Sequence, residues 1–287
     1  MNYPKITVVT PSYNQAQFLE ETILSVIGQQ YPNLEYIIMD GGSTDNSVEI
    51  IKKYEKHLTY WVSEKDNGQS AAINKGFGMA TGEIMAWLNS DDMYLPGTLF
   101  YVVSKLNSTL PQIVFGNCLH IRENTTLVTG SDVQGYHAKM NLILADYIIQ
   151  PSSFWTRDIW LKTGALDESL VFSFDWDWFI RAKKGGGVFT PDVKYLSVYR
   201  IHGEHKTGVG GKKRLQELAS VYGRHAGDKY EELFLRCCSY RSKILSSRKW
   251  ISRSRLSRLE GRMIKANFPQ LFRGFNQDEI RDMVSML

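Results

Sequence analysis

The sequence predicts an α/β fold, a mostly parallel sheet flanked by helices, with a basic helical extension toward the C-terminal end. Three observations predict it. Short β-branched segments alternate with segments of helical periodicity in the first third of the chain, polar turns follow the early strands, and cations accumulate after residue 212. Repeated β-α-β units of this kind form parallel sheets with helices on both faces.

The first β-α unit shows the pattern most clearly. Lys5–Thr10 is short and β-branched, as a strand requires, and Pro11 is expected to end it. Asn14 is the expected N-cap of a helix whose apolar residues recur at helical spacing from Phe18 to Ile27. Further strands are predicted at Leu34–Met39, Leu58–Val62 and Glu83–Leu88, with the intervening helices capped by Ser43 or Thr44 and by Asn67.

The second half of the chain is predicted to be less regular. Its strands are expected at Ile113–Phe115, Leu119–Arg122 and Tyr195–His202, and its helices at Arg157–Thr163 and Asp175–Lys184. The glycine-rich segment Gly208–Gly211 is the expected boundary between two parts. These are one domain over residues 1–207 and a mostly helical, basic extension over residues 212–287.

Composition narrows the class of protein. The chain has 287 residues, of which 43% are apolar and 22% charged, as in a globular protein with a sizeable core. Its three cysteines include the neighbours Cys237 and Cys238, and this odd count favours a reducing compartment over a disulfide framework. The sequence has neither a secretory leader pattern nor an apolar stretch near the roughly 20 residues of a membrane span. We therefore expect a cytoplasmic protein.

The net charge of +4 is unevenly distributed. Residues 212–273 hold 16 Lys and Arg against 5 Asp and Glu, a local +11 that leaves −7 for the rest of the chain. Within them, Lys243–Arg253 mixes cations and apolar residues with Trp250, as a helix at an anionic membrane surface does. Helices that pack on the first domain with solvated cations are an alternative. Nucleic-acid binding is a third, but no recognisable module supports it, and we expect no nucleic-acid partner.

The polar turns after the early strands lie at the sheet edge where α/β proteins bind ligands. The most informative one contains Asp91 and Asp92, adjacent carboxylates that follow a buried strand and repel each other. A divalent cation relieves this repulsion, and Mg²⁺ or Mn²⁺ commonly binds one or two carboxylates plus substrate phosphates. A solvated turn in which Asp92 caps the next helix is the alternative. The sequence lacks the GxxxxGK[ST], GxGxxG and GxSxG signatures of other phosphate, dinucleotide and acyl-transfer sites.

Four segments form an ordered series of motifs. They are VVTPSYN at Val8–Asn14, DGGSTD at Asp40–Asp45, NGQSAAINKG at Asn67–Gly76 and TGEIMAWLNSDD at Thr81–Asp92. In this order they resemble the family 2 glycosyltransferases of GT-A fold, and the likeness extends over about residues 5–205. The resemblance implies sugar transfer from a nucleotide diphosphate donor with inversion at the anomeric carbon. It also implies a nucleotide-binding half at residues 1–95 and an acceptor-binding half at residues 96–207.

The resemblance assigns the donor site to the ends of the early strands. Pro11, Tyr13 and Asp40 match positions that hold the base, usually uracil, and Asp91 matches the carboxylate near the ribose. Lys75 aligns near a basic residue that approaches the diphosphate. The full set of implied donor-binding residues is Thr10, Pro11, Tyr13, Asp40, Lys75, Ser90 and Asp91.

The resemblance also implies a metal site. Asp92 matches the metal-binding carboxylate, although the chain has Ser-Asp-Asp where many members have Asp-x-Asp. His202, near the end of the late strand, matches a histidine that can complete the metal shell, with His205 as the second candidate. The implied metal is Mn²⁺ or Mg²⁺.

The general base is implied on the helix that follows Gly164–Glu168. Asp175 aligns with it, but Phe174 replaces the Glu that usually precedes it, which leaves Asp177 as an alternative. Gln150, Trp176 and Trp178 are the implied acceptor-binding residues, the tryptophans through sugar stacking.

The expected function is therefore inverting, metal-dependent glycosyl transfer from a UDP-sugar in bacterial surface polysaccharide synthesis, such as O-antigen or capsule. The acceptor is expected to be a glycan or lipid-linked glycan, and the basic segment then fits the inner face of the cytoplasmic membrane. Two alternatives remain open: a metal-dependent sugar nucleotidyltransferase, and a catalytically inactive module that binds nucleotide-sugar or membrane. The former would release pyrophosphate rather than a nucleoside diphosphate.

Overall fold

A computed structural model describes residues 3–107, 109–123, 125–203, 210–253 and 256–287. The chain divides into two compact units. The first comprises Met1–Gln134 and Ile148–His205, and the second comprises Gly135–Tyr147 and Lys206–Leu287. The sequence-based boundary differs in one respect, because residues 135–147 group with the C-terminal unit.

The first unit contains one sheet formed by the nine described strands, in the order β3-β2-β1-β4-β8-β6-β9-β5, with β7 paired to β6. The strands are β1 Ile6–Ser12, β2 Leu34–Asp40, β3 Tyr60–Ser63, β4 Ile84–Trp87, β5 Met93–Tyr94, β6 Gln112–Arg122, β7 Val128–Gly130, β8 Ser153–Thr156 and β9 Val188–Ile201. The first four are parallel neighbours, and most of the strand pairing is parallel. The predicted α/β class is therefore confirmed.

Helices cover this sheet. They are α1 Ala16–Ile27, α2 Ser47–Lys53, α3 Gln69–Met79, α4 Thr98–Val103, α5 Val133–Lys139, α6 Arg157–Thr163 and α7 Phe174–Lys184, where α5 begins in the first unit and ends in the second. Fully buried aliphatic residues of β1 and α1, among them Val8, Leu19 and Ile23, form the core between sheet and helices with Phe154 of β8. The helices at 157–163 and 175–184 were predicted within one residue.

The predicted N-caps are wrong. Asn14 has a left-handed backbone, with φ of 52°, and α1 begins two residues later. Its side chain instead accepts a hydrogen bond from the backbone N–H of Thr44, 2.8 Å away, so Asn14 joins two neighbouring turns. The helix predicted after Ser43 begins at Ser47, and the one predicted after Asn67 begins at Gln69.

The two strands predicted at 113–115 and 119–122 are one strand, β6, that is irregular in the middle. Its parallel register with β9 shifts on either side of Asn117. Asn117 uses its side chain there, donating to the carbonyl of Val193 and accepting from the backbone N–H of Val133. An irregular strand does not keep a uniform alternation of inward and outward side chains. The sequence pattern therefore predicted two short strands where the structure has one.

The second unit is helical. Its helices after residue 210 are α8 Gly211–Ala226, α9 Asp228–Ser239, α10 Arg241–Arg253, α11 Glu260–Asn267 and α12 Gln277–Ser285. Tyr222 of α8 is fully buried and donates to the carbonyl of Leu144, which ties residues 135–147 to this unit. Asn276 caps α12 through a reciprocal capping box with Glu279.

Candidate active site

Three strand ends form one row at the carboxyl edge of the parallel strands. The register pairs Ser12 with Asp40 and Asp40 with Ser63. The Asp40 carboxylate is almost fully buried and accepts from the Ser63 hydroxyl at 2.6 Å. It also accepts from the Ser43 hydroxyl at 2.6 Å and the Ser43 backbone N–H at 2.9 Å. The buried Ser12 hydroxyl has no hydrogen-bond partner among the described residues, so this row retains one unused polar group.

Ser43 also connects Asp40 to the turn that follows β1. Its hydroxyl accepts from the backbone N–H of Asn14 at 2.8 Å, and the turn before it uses Gly42 at φ of 80°, which favours glycine. The neighbouring Tyr13 side chain is 60% exposed. The predicted base site thus consists of a fixed carboxylate and a solvent-accessible aromatic ring on two turns that are hydrogen-bonded to each other.

Two predicted donor residues within β1, Thr10 and Pro11, are buried. Thr10 is fully buried and its hydroxyl pairs with that of Tyr36, 3.1 Å away, so its side chain faces the core rather than a donor. Pro11 is buried as well and lies within β1 instead of ending it. The implied role of Thr10 in donor binding therefore finds no support in the position of its side chain.

The acidic turn follows β4. Asp92 is fully buried, and burial followed by the negative charge of Asp91 raises the pKa of its carboxyl well above the usual range. Its Oδ1 accepts from the backbone N–H of Arg200 at 3.3 Å. The Thr22 hydroxyl, on α1, lies 2.7 Å from the carbonyl of Asp92 and 2.8 Å from that of Ser90 and so holds the turn. Ser90 itself is buried.

Strand β9 brings a histidine to this turn. Its antiparallel pairing with β5 aligns Met93 with Val198, so the residues after Val198 run back along the acidic turn. His202 Nε2 consequently lies 3.1 Å from Asp91 Oδ2. The imidazole is nearly buried and packs on the Phe18 ring, with centroids 4.6 Å apart. His205 lies outside the described residues.

A chain of amides surrounds Asp92. Gln150 Nε2 donates to the carbonyl of Trp87 at 2.8 Å, which turns its Oε1 toward Asn89. Asn89 therefore presents its NH₂ group both to Gln150, at 3.3 Å, and to Asp92 Oδ2, at 3.4 Å. Its carbonyl accepts from Gln69 Nε2 at 2.7 Å. The Trp87 carbonyl can only accept, so Gln150 must present its NH₂ group to it and its side-chain oxygen to Asn89. Asn89 must then present its own oxygen to Gln69.

The two candidate bases on α7 have different environments. Asp177 is fully buried and its Oδ2 accepts from Arg181 Nε at 2.8 Å, one turn along the helix. Arg181 also donates to the carbonyls of Thr163 and Ala165, so this pair secures the preceding turn. Asp175 is half-buried, and its Oδ1 accepts from the backbone N–H of Trp176 at 2.8 Å.

Ring packing locates the start of α7. The Phe174 ring lies 6.3 Å, between centroids, from the Trp87 ring at the end of β4. Asp175 follows Phe174, and the acidic turn begins two residues after Trp87. The first turn of α7 therefore packs on the last residue of β4, and the acidic turn begins two residues further along that strand's chain.

The two predicted stacking tryptophans are in the core. Trp176 and Trp178 are both fully buried, and the Trp178 indole donates to the carbonyl of Gly164 while its ring packs on that of Trp155. Neither has a ring face available to a sugar, and we correct that expectation. Gln150 is also buried, where its amide orients Asn89.

Lys75 forms an ion pair with Glu64. The hydrogen bond that Lys75 donates to the Glu64 carboxylate raises the pKa of the Lys75 ammonium, which stays charged. Both side chains are about half exposed, so the pair is screened by water and exchanges readily with another anion.

The acidic turn at Asp91 and Asp92 offers a divalent cation only part of a ligand set. Among the described residues, no group of three or more His, Cys, Asp or Glu side chains is arranged to hold a metal ion unaided. The buried Asp92 carboxylate, with Asp91 beside it, has the donor chemistry for a cation that takes its other ligands from water and phosphate.

Sequence reasoning missed three supporting residues: Thr22, Gln69 and Arg200. Each holds the acidic turn through a contact across many residues of sequence, as the spacing of Thr22 and Asp92 illustrates. The sequence contains no local signal for such contacts.

No described helix is long and apolar enough to cross a membrane.

Comparison with known proteins gives the family. The model of glycosyl transferase family 2 matches residues 7–157. An uncharacterized glycosyltransferase of Nostoc sp. is 29% identical over 85% of this chain and 80% of its own length. The GalNAc(5)-diNAcBac-PP-undecaprenol beta-1,3-glucosyltransferase of Campylobacter jejuni is 32% identical over 42% of this chain and 40% of its own length.

Solved structures show the same fold. Residues 1–349 of TarS from S. aureus, in complex with UDP-GlcNAc, superpose with a TM-score of 0.63 at 15% identity, over 98% of this chain and 90% of that one. The mannosyltransferase PcManGT of Pyrobaculum calidifontis, with GDP-Man and Mn²⁺, has a TM-score of 0.59 at 18% identity, over 78% of this chain and 64% of that one. The chain belongs to glycosyl transferase family 2 and has the GT-A fold.

Proposed function

We propose that this glycosyltransferase transfers a sugar from a UDP-sugar to an acceptor hydroxyl with inversion, with Asp92 at the diphosphate and Asp175 as the base. The observation that supports the proposal is the packing of Phe174, which precedes Asp175, on Trp87, which lies two residues before the start of the acidic turn. Asp92 has a raised pKa in its buried turn, and Asp175 begins a helix that packs on Trp87 of β4.

The hydrogen bonding of Asp40 supports a uridine donor. Its two oxygens already accept three hydrogen bonds, from the Ser43 hydroxyl, the Ser43 backbone and the Ser63 hydroxyl. A carboxylate offers about four acceptor sites, so Asp40 retains one. Uracil presents a single imide N–H to such an acceptor, whereas the edge of guanine presents two donors. The exposed Tyr13 ring would cover the base, and the unpartnered Ser12 hydroxyl would find a partner there.

We place the rest of the donor along the acidic turn. Asp91 and Ser90 would meet the ribose, and Asp92 and His202 would hold Mn²⁺ or Mg²⁺. When bound, such a cation supplies positive charge to the departing diphosphate. Lys75 would exchange Glu64 for a phosphate oxygen, because an exposed ion pair is weakly held.

Inverting transfer needs a base opposite the leaving group. Asp175 suits this role because it is half-buried in the first turn of α7, where its Oδ1 accepts from the backbone N–H of Trp176. Asp177 is unsuitable because it is sealed in the core and paired with Arg181. Asp175 would accept the proton of the acceptor hydroxyl as its oxygen attacks the anomeric carbon. The sugar–phosphate bond then breaks and releases UDP.

For the acceptor we propose a glycan or lipid-linked glycan in bacterial surface polysaccharide assembly, such as O-antigen or capsule. The support is a relative whose name specifies an undecaprenol-linked acceptor. Because Trp176 and Trp178 are buried, sugar contacts must come from other side chains near Asp175.

Product analysis tests the proposal. The full chain is incubated with UDP-, GDP- and dTDP-sugars, Mn²⁺ and synthetic polyprenyl-diphosphate saccharides. We expect release of UDP and a glycoside of inverted anomeric configuration by NMR. Pyrophosphate release would instead identify a nucleotidyltransferase, and retained configuration would remove the role of Asp175. Donor binding without any turnover would identify an inactive module.

A further inference from the structure

Helix α10 of the second unit has an uneven distribution of charge and exposure. Its 13 residues, Arg241–Arg253, include five Lys and Arg and no Asp or Glu. Such a helix repels itself unless its cations are paired or solvated, and the structure distinguishes the cations that have internal partners from those that do not.

The inward face of α10 uses its cations internally. Arg248 forms an ion pair with Glu260 at 2.6 Å and donates to the carbonyl of Val284. Arg241 donates to the carbonyl of Leu287 at 2.7 Å. Ile244 and Ile251, on the same side, are fully buried. The side chains of this face therefore contact other parts of the second unit.

The outward face of α10 consists of Ser242, Lys243, Ser246, Lys249 and Trp250, all exposed. Among the described residues, neither Lys243 nor Lys249 has an acidic partner within 4 Å, so both cations are available. Trp250 is 60% exposed, an unusual position for the largest side chain. Lys243 and Trp250 are seven residues apart, so they lie along the same side of the helix.

We propose that the outward face of α10 binds an anionic phospholipid surface. Lysines contribute through attraction to anionic headgroups, and tryptophan is the side chain that prefers the membrane interface. The small Ser242 and Ser246 side chains between them let the helix lie flat. Because Ile244 and Ile251 are committed to the protein core, only Trp250 enters the interface. The association is therefore shallow and mainly electrostatic, unlike the insertion of a free amphipathic helix.

Vesicle co-sedimentation of the full chain tests this proposal. Vesicles of phosphatidylglycerol and phosphatidylcholine are compared with phosphatidylcholine alone between 50 and 500 mM NaCl. We expect binding to the anionic vesicles that declines with salt. K243S/K249S should weaken it about 25-fold, about fivefold for each lysine. W250S should weaken it while leaving the salt dependence unchanged.

The matched control is K52S/K56S, which removes two exposed lysines from the first unit. It should bind vesicles like the wild type, and unchanged circular dichroism should show that all variants fold. Equal weakening by K52S/K56S would overturn the proposal, because only net charge would then matter. So would tighter binding to single-stranded DNA or heparin than to anionic vesicles. The assay contains no donor or acceptor, so its result is independent of the proposed transfer reaction.

Discussion

Arg181 Nε lies 2.8 Å from Asp177 Oδ2, one turn along α7 and inside the protein. This ion pair separates two carboxylates that the sequence leaves equivalent, because Asp177 is committed to holding the turn at Thr163 through Arg181. Asp175, two residues earlier, is half-buried in the first turn of α7. This difference is why we propose Asp175, and not Asp177, as the base.

Replacing Asp175 with Asn should abolish transfer without harming the fold. Removing a general base costs about 10²- to 10⁴-fold in rate, and Asn retains the shape and the hydrogen bond to the Trp176 backbone. Initial rates of UDP release in the presence of acceptor measure the effect. Activity within threefold of wild type would exclude Asp175 as the base.

Replacing Asp177 with Asn is the matched control on the same helix. It leaves Arg181 without a buried anion, and we expect a loss of about 1–3 kcal/mol in the free energy of unfolding. Urea denaturation measures this loss. The folded fraction should retain transfer, so a variant that is stable and inactive would contradict the separation of roles.

Asn89 should set the affinity for the metal. Its NH₂ group faces Asp92 Oδ2 and Gln150, and groups that orient a metal ligand typically contribute 10- to 100-fold in metal affinity. Asn89→Ala should therefore weaken Mn²⁺ binding by that factor in calorimetry with UDP present. Gln69→Ala, which removes only the next bond of the chain, should have a smaller effect. An unchanged Mn²⁺ affinity in Asn89→Ala would remove Asn89 from the site.

Ser63 should contribute to nucleotide selection. Its hydroxyl occupies one acceptor site of Asp40, and Ser63→Ala frees that site for a second donor from the base. We expect the preference for UDP over GDP to fall about threefold to tenfold, measured by titration of each nucleotide with Mn²⁺. Ser63→Thr, which keeps the hydroxyl that Asp40 accepts from, is the comparison. An equal loss of affinity for both nucleotides would indicate a structural role only.

Glu35 should make stability depend on pH. Burial raises the pKa of this carboxyl, but hydrogen bonds from Thr7, from the Thr81 hydroxyl and from the Thr81 N–H outweigh burial and hold the pKa below its ordinary value of 4.5. The unfolded chain then binds the proton more readily, so this contribution is complete above pH 4.5 and is lost as the pH falls through the folded pKa. Glu35→Gln should be less stable at pH 7 and should lose less stability on acidification, measured by urea unfolding. A parallel pH dependence in both proteins would exclude Glu35 as a source.

The parallel half of the fold was predictable because its signals are local. Each early strand, such as Leu34–Asp40, is a short, mostly apolar or β-branched segment that is followed by a polar turn. The continuity of β6 through its irregular middle and the short β8, which contains Trp155, were not predictable, because they depend on strands distant in sequence. Residues 135–147 joined the second unit for the same reason, through contacts such as that of Tyr222 with Leu144.

The candidate site was predictable only in part. The motif positions indicated Asp92 and His202, and β5–β9 pairing brings His202 to the acidic turn. Trp176 and Trp178 were mistaken for binding residues because the sequence near a carboxylate does not reveal which helix face is buried. The choice between Asp175 and Asp177 required Arg181, whose position follows from the whole helix.

The central claim is that Asp92 serves the donor diphosphate and Asp175 the acceptor proton. The most direct measurement compares Mn²⁺-dependent UDP binding and sugar transfer in Asp92→Asn and Asp175→Asn. We predict that Asp92→Asn loses both, whereas Asp175→Asn binds UDP with wild-type affinity and transfers nothing. Normal Mn²⁺-dependent binding in Asp92→Asn, or normal transfer in Asp175→Asn, would contradict the account.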